Sequence, residues 1–549
     1  MGDSSNKPTE LSHHEDPTSA RLEQAGAATR AEARSVWSVL KENKKALAVI
    51  LAVQSNAIIV GIEFSLPGNL LGIPAFVKEF GELSPATGSY AVEARVLTIW
   101  ASLFAVAQMS GQFAGGFLSD RFGRRPTLYS VIFWTYIGVM LEVIATTWEM
   151  WLGSKIVIGF ATGLMQATVT TVVSELAPRE LRAIGLSFFN MAMNIGGLVA
   201  TLVPWATNRA YGTDVSDLRA FRVPLYMALA SPTITLILQL FLLPESPWWL
   251  LIKGKKDAAR KSLIFMNSGN KNYDADQAIL ELEYTLQKEH ELAEQARSSS
   301  YFDCFRGDDL RRTFCAVFPA LTQNLTGQNL AGTYATYFFS LAGASDPLIS
   351  SVITTAVGLA ANFLSFFLLD SKRIGRWALL FGGLIVMTLS MLAIALIDVI
   401  GKGEYSSAAG KCLTLFVSLF IAASTVGPGV VGWTFTGESG SAHLRAKTIT
   451  LGTMGNACAG LVFTSVLPYL LDADQANLGP KTGFIFFGLG VFCILAVYFF
   501  IPDFTGRSFA EIDELFARRI KARQFAKTTT TGFYGNDLEV TKQEVEGKL

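Results

Sequence analysis

One acidic residue stands inside the first apolar run of the chain. Glu63 lies among the apolar residues Ile58, Ile59, Val60, Phe64 and Leu66. A charge in a membrane-spanning helix costs about 2.5–3.5 kcal/mol on insertion scales, so an acid at such a depth is a functional candidate. Its chemistry would be proton binding and release, because burial favours the neutral carboxyl and a nearby cation favours the ionised one. The alternatives are a structural ion pair between helices and an acid exposed near the outer mouth.

Acidic and arginine residues recur at matched positions along the chain. Three short signatures each occur twice at nearly constant separation, and the pairs are Gly123-Arg124-Arg125 with Gly375-Arg376-Trp377, Glu175 and Arg182 with Glu438 and Arg445, and Pro244-Glu245 with Pro502-Asp503. The repetition indicates two similar halves. Transporters built from parallel repeats hold their substrate between the halves, near the membrane midplane.

The chemistry that these signatures share is the charge-assisted hydrogen bond between an arginine fork and a carboxylate. At the ends of membrane spans, such bonds could hold the inner ends of the halves together and release when the halves rock apart. The predicted gating residues are Asp120, Arg121, Gly123, Arg124, Arg125, Glu175, Arg182, Glu245, Arg376, Glu438 and Arg445. The alternative is that the arginines only anchor helices at lipid headgroups.

The elements that must position these residues are long apolar runs. Of 549 residues, 50% are hydrophobic and 16% are charged, and the mean hydropathy is +0.37. Soluble domains average about 25% charged residues, so the composition indicates a polytopic membrane protein. About 20 helical residues cross a bilayer core. On that basis we predict twelve spans, at 46–71, 97–118, 127–147, 152–173, 184–206, 223–243, 313–342, 348–369, 377–399, 411–435, 446–471 and 481–501.

The polar stretches between these runs define the predicted organisation of the chain. It comprises an N-terminal tail (1–45), a six-helix half (46–243), a middle loop with short helices (244–312), a second six-helix half (313–501) and a C-terminal tail (502–549). An even number of spans places both tails on one side. The short loops on that side are the richer in arginine and lysine, so the positive-inside rule predicts that the tails and the middle loop are cytoplasmic.

The composition also argues against several other classes of protein. Lysine plus arginine equals aspartate plus glutamate at 45 each, which gives no indication of a nucleic-acid partner. The five cysteines are scattered without CxxC spacing, so neither a disulfide framework nor a metal site is expected. The chain contains no Walker loop, GxSxG or HExxH motif. We therefore expect no enzyme activity, no cofactor and no metal.

Several motifs resemble those of a known family. Residues 116–125 (GFLSDRFGRR) resemble the signature loop of the major facilitator superfamily. Residues 244–250 (PESPWWL), 323–329 (QNLTGQN) and 502–516 resemble the sugar porter family, and residues 443–448 and 478–484 resemble fungal maltose or α-glucoside permeases in particular. The resemblance extends over about residues 46–525. It implies an all-α membrane protein with the major facilitator fold, twelve transmembrane helices in two six-helix halves.

The resemblance also implies a substrate site and a coupling site. The amides of sugar porters that bond sugar hydroxyls correspond to Gln323, Asn324 and Asn329, and further matches are Tyr334, Trp433 and Asn456. Three amides within seven residues could instead bond neighbouring helices. Proton-coupled sugar porters carry an aspartate near the position of Glu63, and Lys155 takes the place of the arginine of span four. These two residues are the predicted proton-coupling site.

Two departures from the family pattern concern the substrate. Span five of sugar porters carries a glycine-glutamine pair, and here the pair is Gly196-Gly197. A glutamine early in span six is replaced by Ala228. Because a missing amide leaves substrate hydroxyls unpaired, the departures suggest a substrate that is bulkier or less hydroxylated than a plain hexose.

The expected function is import of a sugar, an α-glucoside such as maltose, by proton symport and alternating access. The expected partners are the sugar, protons and the lipid bilayer, and the expected location is the plasma membrane, with a monomer as the functional unit. One alternative is a facilitator or exporter of another small molecule, such as a fungal secondary metabolite. A second is a sugar sensor that transports nothing, which the short stretch after Ile501 argues against.

Overall fold

The computed structural model of the chain is almost entirely helical. It describes residues 44–83, 88–177, 179–268, 273–297, 300–341, 346–369, 374–401, 407–441, 444–472, 474–505, 507 and 509–528. The predicted N-terminal tail lies outside the described residues except for its last two positions. Residues 529–549 of the predicted C-terminal tail also lie outside them.

The first half consists of six long helices and one short helix. In chain order they are α1 (Lys44–Leu70), α2 (Pro74–Phe80), α3 (Ala94–Phe122), α4 (Arg124–Ile144), α5 (Trp148–Leu176), α6 (Arg179–Tyr211) and α7 (Arg219–Leu242). A small antiparallel hairpin of β1 (Glu82–Leu83) and β2 (Tyr90–Ala91) follows α2, with Glu82 opposite Ala91 and Leu83 opposite Tyr90. We call the side of the bundle where α1 begins the tail face, and the side where it ends the far face.

The middle segment contains three helices, α8 (Pro247–Ile252), α9 (Lys256–Met266) and α10 (Ala275–Arg297), followed by a 3-10 turn at Tyr301–Phe305. Arg260 on α9 makes two hydrogen bonds to the carboxylate of Asp276 on α10, at 2.8 and 3.0 Å. The neighbouring guanidinium holds the pKa of Asp276 below its usual value. This exposed pair links two helices on the tail face.

The second half repeats the arrangement with more interruptions. Its helices are α11 (Gly307–Leu325), α12 (Gln328–Ala331), α13 (Ala335–Leu341), α14 (Pro347–Leu369), α15 (Arg376–Gly401), α16 (Ser407–Ser424), α17 (Val430–Glu438), α18 (Arg445–Leu471), α19 (Thr482–Phe500) and α20 (Phe509–Ala517). A π-helical turn at Thr425–Gly429 joins α16 to α17, and 3-10 turns occupy Gly479–Lys481 and Ala522–Lys527.

One predicted span is broken into pieces. Within the described residues, eleven helices are individually long and apolar enough to cross a membrane. The remaining prediction, 313–342, corresponds to α11, α12 and α13. Gly327 has a left-handed backbone with φ of +102° and separates the first two pieces. The prediction of an all-α membrane protein with twelve spans in two halves is confirmed, with the seventh span discontinuous.

Glycines bring α1 and α6 into backbone contact. A Cβ atom at Gly61 would lie 1.9 Å from the carbonyl oxygen of Met193, and one at Gly196 would lie 2.1 Å from that of Ile58. Real Cβ atoms do not approach so closely, because such contacts overlap the van der Waals radii. Only glycine therefore fits at this crossing, which sets α1 and α6 side by side along the interior of the molecule.

Candidate functional site

A cavity of about 450 Å³ lies between the two halves. Its walls come from α1 and α6 in the first half and from α11 to α14, α16 to α18 and the π turn in the second. Amide side chains dominate the polar part of the lining, and they are Asn69, Asn190, Asn194, Gln323, Asn324, Gln328, Asn329, Asn362 and Asn456. The side chain of Trp433 also lines the cavity and is 37% exposed. Each amide can donate and accept hydrogen bonds.

The broken seventh span positions three of the predicted amides. Asn324 Nδ2 donates to Asn456 Oδ1 on α18 at 2.7 Å, and Asn329 Nδ2 donates to the carbonyl oxygen of Gly460 at 3.4 Å. Gln323 Nε2 lies 3.5 Å from the hydroxyl oxygen of Ser424, which it contacts as a donor. The amides thus bond neighbouring helices, as the alternative prediction held, and they also line the cavity, as the binding prediction requires.

Tyr334 is the predicted substrate residue that the structure places away from the cavity wall. It is 4% exposed, and its hydroxyl donates to the carbonyl oxygen of Thr464 at 3.3 Å. It packs in a hydrophobic cluster with Phe338 and Phe339. This position indicates a structural role, since the hydroxyl ties the segment between α12 and α13 to α18.

The sequence prediction assigned substrate residues to the second half alone, whereas the first half contributes Asn69, Asn190 and Asn194. Asn190 and Asn194 are four residues apart on α6, which places them on one face of the helix. Amides inside predicted spans are costly unless they find a polar partner. The four-residue spacing of Asn190 and Asn194, and their place inside a predicted membrane span, could have identified these two residues from the sequence.

The two departures from the sugar porter pattern have different positions. Gly197 lines the cavity, so the missing glutamine leaves extra space in the binding region. Ala228 is fully buried in the hydrophobic core of the first half. Only the change at Gly197 therefore alters the surface that a substrate would meet.

Hydrogen bonds join the two halves at the far face. The Thr336 hydroxyl contacts Asn69 Oδ1 on α1 and the Ser351 hydroxyl on α14, each at 2.5 Å. Nearby, Thr98 on α3 donates to the carbonyl oxygen of Ser465 on α18 at 2.9 Å. Asn69, Thr336 and Ser351 all line the cavity, so the bond between Asn69 and Thr336 ties the two halves together in the cavity wall on the far-face side.

Glu63 is buried beside an ion pair that it does not join. It is 3% exposed, and neither carboxylate oxygen has a hydrogen-bond partner within the described residues. Lys155 instead forms an ion pair with Glu142 on α4. The lysine also lies 5.0 Å from the centre of the Trp151 ring. Glu142 was not assigned a role from the sequence, although it is a second acid inside a predicted span.

A cluster of charged residues closes the tail end of the first half. Arg124 makes three hydrogen bonds to the Glu175 carboxylate, from Nε at 2.9 and 3.2 Å and from Nη2 at 2.6 Å. Its Nη1 lies 3.3 Å from Asp120, and its backbone N–H donates to Glu245 at 2.8 Å. A Cβ at Gly123 would lie 2.7 Å from Glu245 Oε2, so glycine permits this approach.

The other predicted gating arginines of the first half are placed differently. Arg121 is exposed, with its guanidinium over the rings of Phe117 and Phe122. Arg125 donates to the hydroxyl of Tyr129 at 2.8 Å. The side chain of Arg182 lies outside the described residues.

The second half carries the matching cluster. Arg376 forms an ion pair with Glu438, and its backbone N–H donates to the Thr505 hydroxyl at 2.8 Å. A Cβ at Gly375 would lie 3.0 Å from Asp503 Oδ2. Arg445 is the first residue of α18. The arginine–glutamate pairs therefore join helices within each half in this conformation, and the two pairs are structurally equivalent.

The two bundles, the cavity between them and the repeated charged clusters define a transporter of the major facilitator superfamily. Residues 47–516 match the family described as "Sugar (and other) transporter". The chain belongs to this family, as the motifs predicted.

Relatives of known function are similar over most of the chain. A general α-glucoside permease of Saccharomyces cerevisiae is 31% identical over 507 residues, which cover 90% of this chain and 79% of the permease. A maltose permease of the same organism is 28% identical over 514 residues, 91% of this chain and 80% of the permease. The chain is thus a multi-pass membrane transporter of the sugar porter type, similar to fungal α-glucoside permeases.

The fold is shared with a bacterial sugar transporter. The proton:xylose symporter XylE of E. coli, solved with bound 6-bromo-6-deoxy-D-glucose, superposes with a TM-score of 0.65 at 21% identity. The match covers 86% of this chain and 100% of that chain. The likeness extends over both halves and confirms the predicted architecture.

Proposed function

We propose that this protein imports an α-glucoside such as maltose by proton symport and alternating access. The observation that carries the proposal is the cavity between the halves, to which both halves contribute amide side chains and α17 contributes an indole. A sugar offers hydroxyls around its edge and an apolar ring face. Amides pair with the hydroxyls and an indole packs on the ring face.

The size of the cavity suits this class of substrate. A volume of about 450 Å³ lies within the roughly 300–1,000 Å³ of small-molecule sites. The glycine at position 197 adds space where sugar porters carry a glutamine, and extra space favours a second sugar ring. The similarity to an α-glucoside permease and a maltose permease supports the same choice.

Proton coupling is supported by the charged residues inside the first half. Glu63 is buried, lacks a hydrogen-bond partner within the described residues and lies near a lysine. A buried carboxyl of this kind binds a proton readily and can release it when its surroundings change. Glu63 is therefore the proposed proton carrier and Lys155 its modulator. The fold neighbour named as a proton:xylose symporter is consistent with such coupling.

Alternating access follows from the arrangement of the two ends. We assign the tail face to the cytoplasm and the far face to the outside of the plasma membrane, which makes the present conformation closed on the outside. The arginine–glutamate clusters on the tail face are the proposed inner gate, which closes when the halves rock together. One chain contains the whole cavity, so a monomer suffices for transport.

A second candidate function is facilitated transport or export of another small molecule. The observation that favours it is the same Gly197, because a cavity without this amide offers fewer partners to sugar hydroxyls. The two candidates differ in whether a proton gradient drives accumulation of an α-glucoside.

The test is uptake of labelled maltose by cells that lack their own α-glucoside permeases, with and without a protonophore. The proposal predicts accumulation above the external concentration, collapse on addition of the protonophore, and loss of accumulation in Glu63→Gln. Absence of uptake from cells that display the protein at their surface would rule out maltose as the substrate. Uptake that equilibrates and ignores the protonophore would support the facilitator.

A further inference from the structure

Three ionisable side chains meet in the interior of the first half. Glu63 on α1, Glu142 on α4 and Lys155 on α5 are 3%, 1% and 4% exposed. If all three were charged, the cluster would carry a net charge of −1 in an apolar bundle. Burial of an uncompensated charge is strongly unfavourable, and such a site neutralises by taking up a proton. One of the two acids is therefore protonated.

The contacts identify which acid holds the proton. Lys155 Nζ is in direct contact with Glu142 Oε1. Both oxygens of Glu63 lack a hydrogen-bond partner within the described part of the chain. An ammonium group stabilises the carboxylate that it touches, so Glu142 is the ionised acid. Glu63 remains without a counter-ion and is the neutral one.

The other groups around Glu63 do not change this balance. The charged neighbours of Glu63 are Glu142 and Lys155. Glu63 also lines a small cavity of about 10 Å³, whose other polar residues are Asn56, Thr135 and Thr162. These side chains are uncharged, and a space of that order holds about one water molecule. The lysine is thus the one cation in the described surroundings for which the two acids compete.

We propose that Glu142 is a positioning residue that holds Lys155 away from Glu63 and so keeps Glu63 protonated in the conformation described here. Release of the proton from Glu63 requires the ammonium group to move from Glu142 towards Glu63. The proposal deepens the symport proposed above and in that sense rests on it, because it names the residue that sets the proton occupancy of the carrier.

The test is chemical and does not require transport. Dicyclohexylcarbodiimide is an apolar reagent that adds to protonated carboxyl groups buried in membrane proteins and leaves a stable N-acylurea. The reagent is applied to the purified full-length protein in lipid, and the adduct is located by peptide mass spectrometry. We expect modification of Glu63 and at least tenfold less modification of Glu142. Equal modification of the two acids, or preferential modification of Glu142, would overturn the proposal.

Two variants test the role of Glu142 itself. In Glu142→Gln the lysine is released to pair with Glu63, so modification of Glu63 should fall at least tenfold. In the double variant Glu142→Gln/Lys155→Met the cation is also removed, and modification of Glu63 should return. A merely structural role for Glu142 would not produce this reversal. Unchanged labelling of Glu63 in folded Glu142→Gln protein contradicts the proposal.

Controls separate misfolding and failed symport from a failed assignment. Glu149→Gln alters an exposed acid near the start of α5 and should leave the labelling of Glu63 unchanged. If Glu142→Gln does not fold, the ratio of labelling in the unmodified sequence still decides between the two acids. Uptake assays are scored independently, so a protein that labels as expected but shows no proton-driven uptake refutes the symport and not the charge assignment.

Discussion

Asn69 Oδ1 on α1 accepts a hydrogen bond of 2.5 Å from the hydroxyl of Thr336 on α13, and this bond joins the two halves at the far face. The amide nitrogen of Asn69 donates to the carbonyl oxygens of Ser65 and Ala200, at 2.8 and 3.1 Å. Both of these bonds lie within the first half, so the first half fixes the orientation of the acceptor. Gly68 allows the approach, because a Cβ there would lie 2.0 Å from the carbonyl oxygen of Thr333.

Removal of the Thr336 hydroxyl should shift the protein towards outward opening. A hydrogen bond of this kind contributes about 1 kcal/mol, so Thr336→Val should raise the ratio of open to closed molecules about fivefold. The measurement is the rate at which an impermeant maleimide applied outside labels Ser65→Cys in a background without native cysteines. Thr354→Val is the matched control, because within the described residues the Thr354 hydroxyl donates to the Ser351 carbonyl oxygen of its own helix and makes no bond to the first half. Equal labelling rates in the two variants would refute this role.

Arg124 should be more important to stability than its exposed neighbour Arg121. Its guanidinium and the Glu175 carboxylate are largely buried, with side-chain exposures of 8% and 13%. Loss of one partner of a buried pair costs about 3–5 kcal/mol. We expect Arg124→Ala to lower the unfolding temperature in detergent and to abolish transport. Arg124→Lys keeps the charge but loses the two-pronged guanidinium, so its unfolding temperature should lie between those of Arg124→Ala and the unmodified protein.

The control for this prediction is Arg121→Ala, which removes an exposed arginine three positions away and should leave the unfolding temperature unchanged. The double variant Arg124→Ala/Glu175→Gln should recover part of the stability, because it no longer leaves a buried carboxylate unpaired. Arg124→Ala protein that unfolds at the original temperature would show that the pair is dispensable.

The number of spans was predictable because a bilayer sets the length of an apolar helix. The interruption of the seventh span was not predicted, since residues 313–342 have the length of one membrane-spanning helix. The break between α11 and α12 depends on the left-handed backbone of Gly327. The matched clusters at Arg124 and Arg376 were predictable from their repeated spacing. That each arginine pairs with a glutamate of its own half depends on how the helices pack, because spacing does not show which neighbouring helix an arginine reaches.

Some residues of the cavity were likewise predictable from the sequence and others were not. Gln323, Asn324 and Asn329 were found because they follow a motif, whereas Asn190 and Asn194 follow none. The sequence predicted Lys155 and Glu63 as a coupling site, which stays a prediction, and it gave Glu142 no role. That Lys155 forms an ion pair with Glu142 on the neighbouring helix emerged only from the packing of α1, α4 and α5. Which residues line the cavity, and which partner Lys155 contacts, depend on tertiary contacts that the sequence does not show.

The indole of Trp433 should contribute to sugar affinity. It lines the cavity and is 37% exposed, and an indole face can pack on the apolar side of a sugar ring. Stacking of this kind contributes about 0.5–1.5 kcal/mol, so Trp433→Ala should raise the KM for maltose uptake about two- to tenfold. The matched control is Trp134→Ala, which removes an indole of similar exposure, 36%, that packs on Phe133 and Phe160 away from the cavity. A similar KM in both variants would argue against stacking.

The adjacent glycines Gly196 and Gly197 should respond to substitution in opposite ways. A Cβ at Gly197 would lie 3.1 Å from Ser65 Oγ and 3.7 Å from Thr355 Cγ2, so a side chain fits after a small shift. Gly197→Gln should place an amide in the cavity, remove space for a second sugar ring and lower the ratio of maltose to glucose uptake about tenfold or more.

Gly196→Ala, by contrast, forces a Cβ to within 2.1 Å of the carbonyl oxygen of Ile58 and should abolish folding and surface expression. The measurement is competitive uptake of the two labelled sugars by surface-expressed variants, with Gly197→Ala as the intermediate case. Because Gly197→Gln restores the residue pattern of sugar porters, a gain of glucose uptake would show that this position sets substrate size. An unchanged ratio in well-expressed Gly197→Gln protein would mean that the sugar binds elsewhere in the cavity.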